Sequence, residues 1–232
     1  MNPVTERNIK QRRIISCDER RAVLPGASAE PMTDVRKYDP GIIAEQRDDM
    51  IPYTGGVILV RDTLAVKLAG VSAKLSAMGY RLKLRYGYRH PDVQEKYFES
   101  SRARLRDENP NFSEEELNRK ADIFTALPEV AGHPTGGAVD VTIVESASGR
   151  ELDMGLIYGS DEEHMKTFSG AVNSEQRKNR LLLHDIMVSE GFAPFYGEWW
   201  HFMYGDREWA AFTGEKSAIY GPVRIDEWRS SD

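Results

Sequence analysis

His133-Pro-Thr-Gly-Gly-Ala-Val-Asp140 is the stretch on which the reading of this chain turns. From Ala138 to Val144 apolar residues alternate, so Val139, Val141 and Ile143 share one face of a strand. Asp140 then points the other way, beside Ala138 and Thr142, towards a cleft. The small Ala138 leaves room next to it. Two donors seven positions apart diverge on a straight strand, so the Pro134-Thr-Gly-Gly137 turn has to fold His133 back towards Asp140. Further along, Glu198-Trp-Trp-His201 offers a second imidazole and a spare carboxylate. On an ideal strand Glu198 and His201 face opposite ways, because three is an odd step. A bend at Gly197-Glu198 is therefore expected.

Two imidazoles and a carboxylate, with a glutamate beside one of them, are the inventory of a catalytic zinc site. His133, Asp140 and His201 are the candidate ligands to one zinc per chain, with a fourth position left for water. Manganese, cobalt or iron fit on ligand type alone. The single cysteine, Cys17, is remote in sequence, which excludes a thiolate-rich structural site. His90, His164 and His184 read as structural or exposed.

The bulk properties are those of an ordinary globular enzyme. A length of 232 residues supports one sizeable core and is short for two full domains. The net charge of −6, without a basic stripe, argues against nucleic acid and anionic membranes as partners. No apolar run approaches the twenty residues of a membrane span. The N-terminal stretch lacks the apolar core of a signal peptide, so a cytoplasmic location is expected. Oligomeric state is not legible.

Residues 1–30 are charged and weakly periodic, which predicts a flexible leader ahead of a single domain over 31–232. Leu64, Leu68, Val71, Leu75 and Met78 recur at helical spacing behind Asp62 as a potential N-cap, with Gly79 as the stop. Arg81–Tyr86 alternates like a half-buried strand. A helix begins after Pro91 with Val93, Tyr97 and Phe98 inward. A charge-dense helical insertion is expected at about 95–128, with Ser113 and Glu116 forming a capping box. Ser174 can cap a helix ended by Gly191, and Trp199–Tyr204 is strand-like. Helices and strands mix without regular alternation, which predicts an α+β domain with a mainly antiparallel sheet flanked by helices.

The two motifs resemble those of the VanX-type D-alanyl-D-alanine dipeptidases, zinc enzymes of the wider hedgehog-like D-Ala-D-Ala peptidase fold. Ala131-Gly-His133-Pro-Thr-Gly136-Gly-Ala138-Val-Asp140 matches the family's Ser-x-His-x-x-Gly-x-Ala-x-Asp, and Glu198-Trp-Trp200-His201 its Glu-x-Trp-His. Weaker matches are Asp34–Pro40, Gly87-Tyr-Arg89, Leu152–Gly155, Asn179–Leu182 and Gly191-Phe192, so the similarity spans roughly residues 34–210. The resemblance implies that Glu198 is the general base and acid and that Arg89 stabilises the oxyanion. It also implies that Asp153 pairs with the substrate ammonium. Ala131 stands where the family has serine, which bears on preference for D-Ala-D-Ala and leaves the metal chemistry untouched.

The leading expectation is thus a zinc dipeptidase acting on D-Ala-D-Ala or a similar short D-amino-acid peptide. A muropeptide D,D-carboxypeptidase or L,D-endopeptidase is the alternative within the same chemistry. A non-catalytic zinc-binding interaction domain is the alternative of another class. Retention of Glu198 and Arg89 argues against that last one, since a structural site needs neither.

Overall fold

The computed structural model describes residues 1–155 and 162–226. In chain order the elements are α1 (Pro3–Gln11), α2 (Cys17–Ala22), β1 (Met32–Asp34), β2 (Ile43–Ala44), α3 (Ile51–Thr54), β3 (Leu59–Arg61), α4 (Asp62–Ser76), β4 (Tyr80–Tyr86) and α5 (Pro91–Glu108). There follow α6 (Glu114–Ala121), a 3-10 turn (His133–Thr135), β5 (Ala138–Glu145), α7 (Glu162–Met165), α8 (Ser174–Ser189), β6 (Ala193–Pro194), β7 (His201–Met203) and α9 (Arg207–Thr213). Strands order β2-β4-β5-β7-β6 in one sheet, antiparallel except for β2 beside β4, and β1 pairs with β3 in a second. This is the α+β architecture expected from the sequence. Among the described residues no helix is long and apolar enough to cross a membrane.

The sheet divides the molecule. On one face Val139, Val141 and Ile143 join Leu64, Leu68, Val71 and Leu75 of α4 and Leu183, Ile186 and Met187 of α8 in the main core. Each fully buried aliphatic side chain there contributes roughly 1.5–3 kcal/mol. The other face carries Asp140 and is covered by α9 and the N-terminal helices, through Ile15, Ala138, Tyr196, Met203 and Phe212.

Several boundaries differ from expectation for identifiable reasons. Asp62 does not cap α4, because its carboxylate accepts hydrogen bonds from Lys37 and Tyr38, each 2.7 Å long. It is the first helical residue, after Arg61. Met78 lies beyond the helix end and is 51% exposed, so the apolar stripe stops at Leu75. Asn173, not Ser174, caps α8, in a reciprocal capping box with Gln176. The last strand begins only at His201, because Glu198–Trp200 form the turn that leads into it.

The largest correction concerns the leader. Residues 1–30 are not loose: α1 and α2 both pack on α9. Asn8 Nδ2 donates to the Phe212 carbonyl over 2.7 Å, and Ser16 and Glu19 close a capping box on α2. Arg20 is buried between Asp122 and Glu208. The segments are short and charged, so they carry no apolar stripe to betray them. What orders them is side-chain hydrogen bonding to a distant element. The expected insertion is the helical hairpin α5–α6, with the Ser113–Glu116 capping box as read and a small core of Phe98, Leu105, Leu117 and Ala121. It starts at Pro91 rather than 95, and its base forms part of the cavity wall.

Candidate active site

The central scaffold of the site is a register. Asp140 of β5 lies opposite His201 of β7 on one side and Tyr86 of β4 on the other. Regular pairing would have put Arg85 there, but the register shifts between Leu84 and Tyr86. An extra residue in one strand re-aims the side chains that follow it. It directs β4 into Gly87, whose carbonyl accepts a 2.8 Å hydrogen bond from His133 Nδ1. Only a protonated Nδ1 can donate to a carbonyl, so Nε2 of His133 is the free donor atom, turned towards Asp140. His133 itself sits on the expected turn: Gly136 N–H donates to the His133 carbonyl over 3.1 Å, and Gly136 has the left-handed φ of +71°. Gly132 permits the close approach, because a Cβ there would lie 2.0 Å from Asp206 Oδ2.

The three candidate ligands converge as expected. His133 Nε2 is 3.4 Å from Asp140 Oδ2, and His201 Nδ1 is 2.9 Å from Asp140 Oδ1. One donor atom from each residue lies within 4.8 Å of the others. Donors held about 2.0–2.1 Å from a tetrahedral zinc stand about 3.3 Å from each other, so this cluster is compact enough for its residues to hold one ion. The charge state agrees. Burial would raise the Asp140 carboxyl, but the His133 and His201 imidazoles overcome it and keep the carboxylate ionised. Burial drives His133 towards the neutral form. It pushes His201 the same way, yet the hydrogen bond and charge of Asp140 prevail and hold a proton on it. A cation in this cluster would take the place of that proton.

Glu198 is held by the turn before β7: its N–H donates to Phe195 and its carbonyl accepts from His201 N–H. With the triad and Arg89 it lines a cavity of about 490 Å³. Burial raises its carboxyl to about 8, against the attraction of His201, which places it near the working range of a general acid–base group. Arg89 is stacked over Tyr86 at 4.2 Å and Tyr97 at 5.0 Å, and its Nη1 donates to Gln94 Oε1 over 2.9 Å. Its backbone N–H is tied to the His133 carbonyl at 3.2 Å, so Arg89 and His133 share one framework.

Asp153 is not brought to the cavity. It is exposed, accepts from Gly155 N–H over 2.8 Å and from Gln176 Nε2 over 3.0 Å, and ties its turn to the start of α8. Those hydrogen bonds to its ionised form lower its pKa, Gln176 contributing most. Its turn chemistry was present in the sequence as Asp-Met-Gly, and that is the role it fills. Conversely, Gln94, Tyr97, Arg47, Arg20 and Glu208 line the cavity although sequence reasoning did not find them. Gln94 has a local signal, since a helix starting at Pro91 puts it next to Arg89. Arg20 and Glu208 come from opposite ends of the chain and have none.

A buried His-Asp-His cluster, with an adjacent glutamate and a fixed arginine in one cavity, is an arrangement that could hold a metal ion and activate water beside it. The chain belongs to the Peptidase M15 family, described as D-Ala-D-Ala dipeptidase, whose pattern matches residues 46–215. It is 36% identical over 72 residues to the D-alanyl-D-alanine dipeptidase of Escherichia coli (strain K12), covering 31% of this chain and only 37% of that protein. To the D-alanyl-D-alanine dipeptidase of Enterococcus faecalis (strain ATCC 700802 / V583) it is 27% identical over 158 residues, covering 60% of this chain and 71% of that one. Among solved structures it is similar to VanYB in complex with D-alanine-D-alanine, with a TM-score of 0.45, 16% identity, and coverage of 68% of this chain and 80% of the other.

Proposed function

We propose that the protein is a zinc-dependent dipeptidase hydrolysing D-Ala-D-Ala or a similar short D-amino-acid peptide in the cytoplasm. The observation that carries the reading is the convergence of His133, Asp140 and His201 beside Glu198 in one cavity. Membership of the family and the D-alanyl-D-alanine dipeptidases it resembles support the substrate class. His133, Asp140 and His201 would hold the zinc, which supplies Lewis acidity that lowers the pKa of water to about 7 and polarises the scissile carbonyl.

The chain's own residues perform the rest. Glu198 removes the proton from the attacking water and returns it to the leaving amine, so one carboxyl serves as base and then acid. The Arg89 guanidinium, pinned by Gln94 and its tyrosine stack, meets the negative charge that develops on the carbonyl oxygen. A fixed donor of this kind contributes roughly 3 kcal/mol to the transition state. Because Gln94 Nε2 is itself bonded to the Ala126 carbonyl at 2.7 Å, little reorganisation is needed as that charge forms.

A second reading, a carboxypeptidase or endopeptidase acting on longer peptides, draws on the cavity volume. At about 490 Å³ it falls in the range of about 300–1,000 Å³ that holds drug-sized ligands. The test is a panel of D,D-, L,D- and L,L-dipeptides, N-acetylated dipeptides and longer peptides, with and without chelator. D,D-dipeptide cleavage that is lost on chelation and restored by zinc is the expected result. Efficient cleavage of N-blocked or longer peptides would instead establish the second reading.

A further inference from the structure

Arg89 is held by more than the groups that touch it. Tyr86 ends β4 and Tyr97 lies in α5, and both line the cavity with their rings turned to the guanidinium. Each ring centroid is within the roughly 6 Å over which a cation is drawn to an aromatic face. Gln94 and Tyr97 are three positions apart and share a face of α5, which is why both reach the same arginine.

The phenol ends of the two rings meet on one carboxylate. Tyr97 Oη donates to Asp49 Oδ2, and Tyr86 Oη donates to Asp49 Oδ1 over 3.3 Å. Burial raises both phenols, and at Tyr97 the hydrogen bond and charge of Asp49 add to the rise, so both hydroxyls keep their protons. Their part in the site is therefore the ring face, not proton transfer.

Asp49 is half-buried and does not line the cavity. Its neighbour places it. The turn Arg47–Met50, just ahead of α3, is closed by Met50 N–H on the Arg47 carbonyl at 2.9 Å. Met50 is fully buried in one cluster with Leu59, Tyr86 and Tyr88, and its sulfur accepts the His90 N–H at 3.4 Å. The turn is thereby anchored to the residue that follows Arg89. The Tyr86 ring also packs against His133, with centroids 5.5 Å apart. One carboxylate outside the cavity thus fixes two rings, and through them a guanidinium, beside the His-Asp-His cluster.

We propose that Asp49 is a positioning residue for catalysis: by holding Tyr86 and Tyr97 through their hydroxyls it keeps Arg89 aimed at the charge that develops during peptide hydrolysis. This role rests on the peptidase reading and adds to it a residue from outside the cavity. A misplacement of about 1 Å in such a group costs about 10²-fold, which sets the scale of the effect.

A double-mutant cycle on zinc-loaded protein tests it, with D-Ala-D-Ala as substrate. Asp49→Ala should lower kcat by about 10–100-fold, with KM nearly unchanged and zinc content equal to wild type. In the Arg89→Ala background the same substitution should cost almost nothing, because the group it serves is gone. Tyr86→Phe combined with Tyr97→Phe removes both hydroxyls, keeps both rings and should reproduce the Asp49→Ala loss. Asp49→Asn, which keeps an acceptor oxygen, should recover part of it. Equal Asp49→Ala losses in the two backgrounds overturn the assignment. A second measurement needs no turnover: the rate at which phenylglyoxal modifies Arg89, followed by mass spectrometry of the digested protein, should rise severalfold in Asp49→Ala. An unchanged rate overturns the assignment as well. A wild type that cleaves no free dipeptide overturns the peptidase reading instead, and the modification rate still decides whether Asp49 holds Arg89.

Discussion

The two halves of the active site are built on different principles. The metal-binding half lies on the sheet: Asp140 and His201 are cross-strand partners, and His133 hangs on a turn pinned to the end of β4. Its geometry is set by backbone register, and a register cannot slip by one residue without turning every side chain over. The rest of the cavity wall is borne mostly by helices: Arg89 just ahead of α5 and Gln94 within its first turn, Asp122 behind α6, Arg20 in α2 and Glu208 in α9. Its geometry is set by ion pairs and side-chain hydrogen bonds between segments with little else in common.

Breaking the sheet-borne half should have the largest effect. His201→Ala removes a donor and leaves Asp140 buried against one imidazole, so zinc should fall well below one per chain and activity below detection. Elemental analysis of the purified variant checks this, and near-stoichiometric zinc would remove His201 from the ligand set. Next comes Arg89→Ala, which should lower kcat by about 10²–10³ while zinc is retained, the cost of one preorganised donor. Gln94→Leu, which only frees the guanidinium, should cost less. If the Gln94 variant equals the Arg89 variant in steady-state kinetics, the two act as one unit.

A pH experiment separates the halves further. Burial lifts Glu208 to about 7 in the folded chain, whereas an unperturbed glutamate titrates near about 4.3. The folded state therefore binds the extra proton between those values, and stability falls as pH rises across that window. Glu208→Gln removes the ionisation, so its Tm relative to wild type should gain a few degrees between pH 5 and pH 8. Scanning calorimetry would show a pH-independent difference if Glu208 were not held at such a cost. The smallest effect is expected of Asp153→Asn, which should leave KM for dipeptides within twofold because that carboxylate braces a turn outside the cavity.

The same division governs what was legible in the sequence. Val139, Val141 and Ile143 announce β5 by alternation, the odd step from Glu198 to His201 announces the bend, and the turn glycines announce the return of His133. These signals are local, so the convergence of His133, Asp140 and His201 near Glu198 could be read from spacing. The stripe Leu64–Leu75 likewise gave α4 and the side of the sheet it covers. Arg20, Asp122 and Glu208 meet only after the chain has folded, and each alone looks like a solvated charge. Helices α1 and α2 were missed for the same reason: Asn8 finds the Phe212 carbonyl 204 positions away. Asp153 failed in the opposite direction. A motif resemblance offered a carboxylate of the right sign, and the local Asp-x-Gly turn and the neighbouring α8 had already claimed it.

The central claim is that the triad holds the metal while Glu198 alone carries the proton. Turnover of D-Ala-D-Ala by zinc-loaded Glu198→Gln, with its zinc content measured on the same sample, tests it most directly. The account predicts one zinc per chain, unchanged from wild type, and a loss of at least about a thousandfold in kcat, at the upper end or beyond of general acid–base contributions. Turnover within tenfold of wild type, or loss of the zinc with the carboxylate, would contradict it.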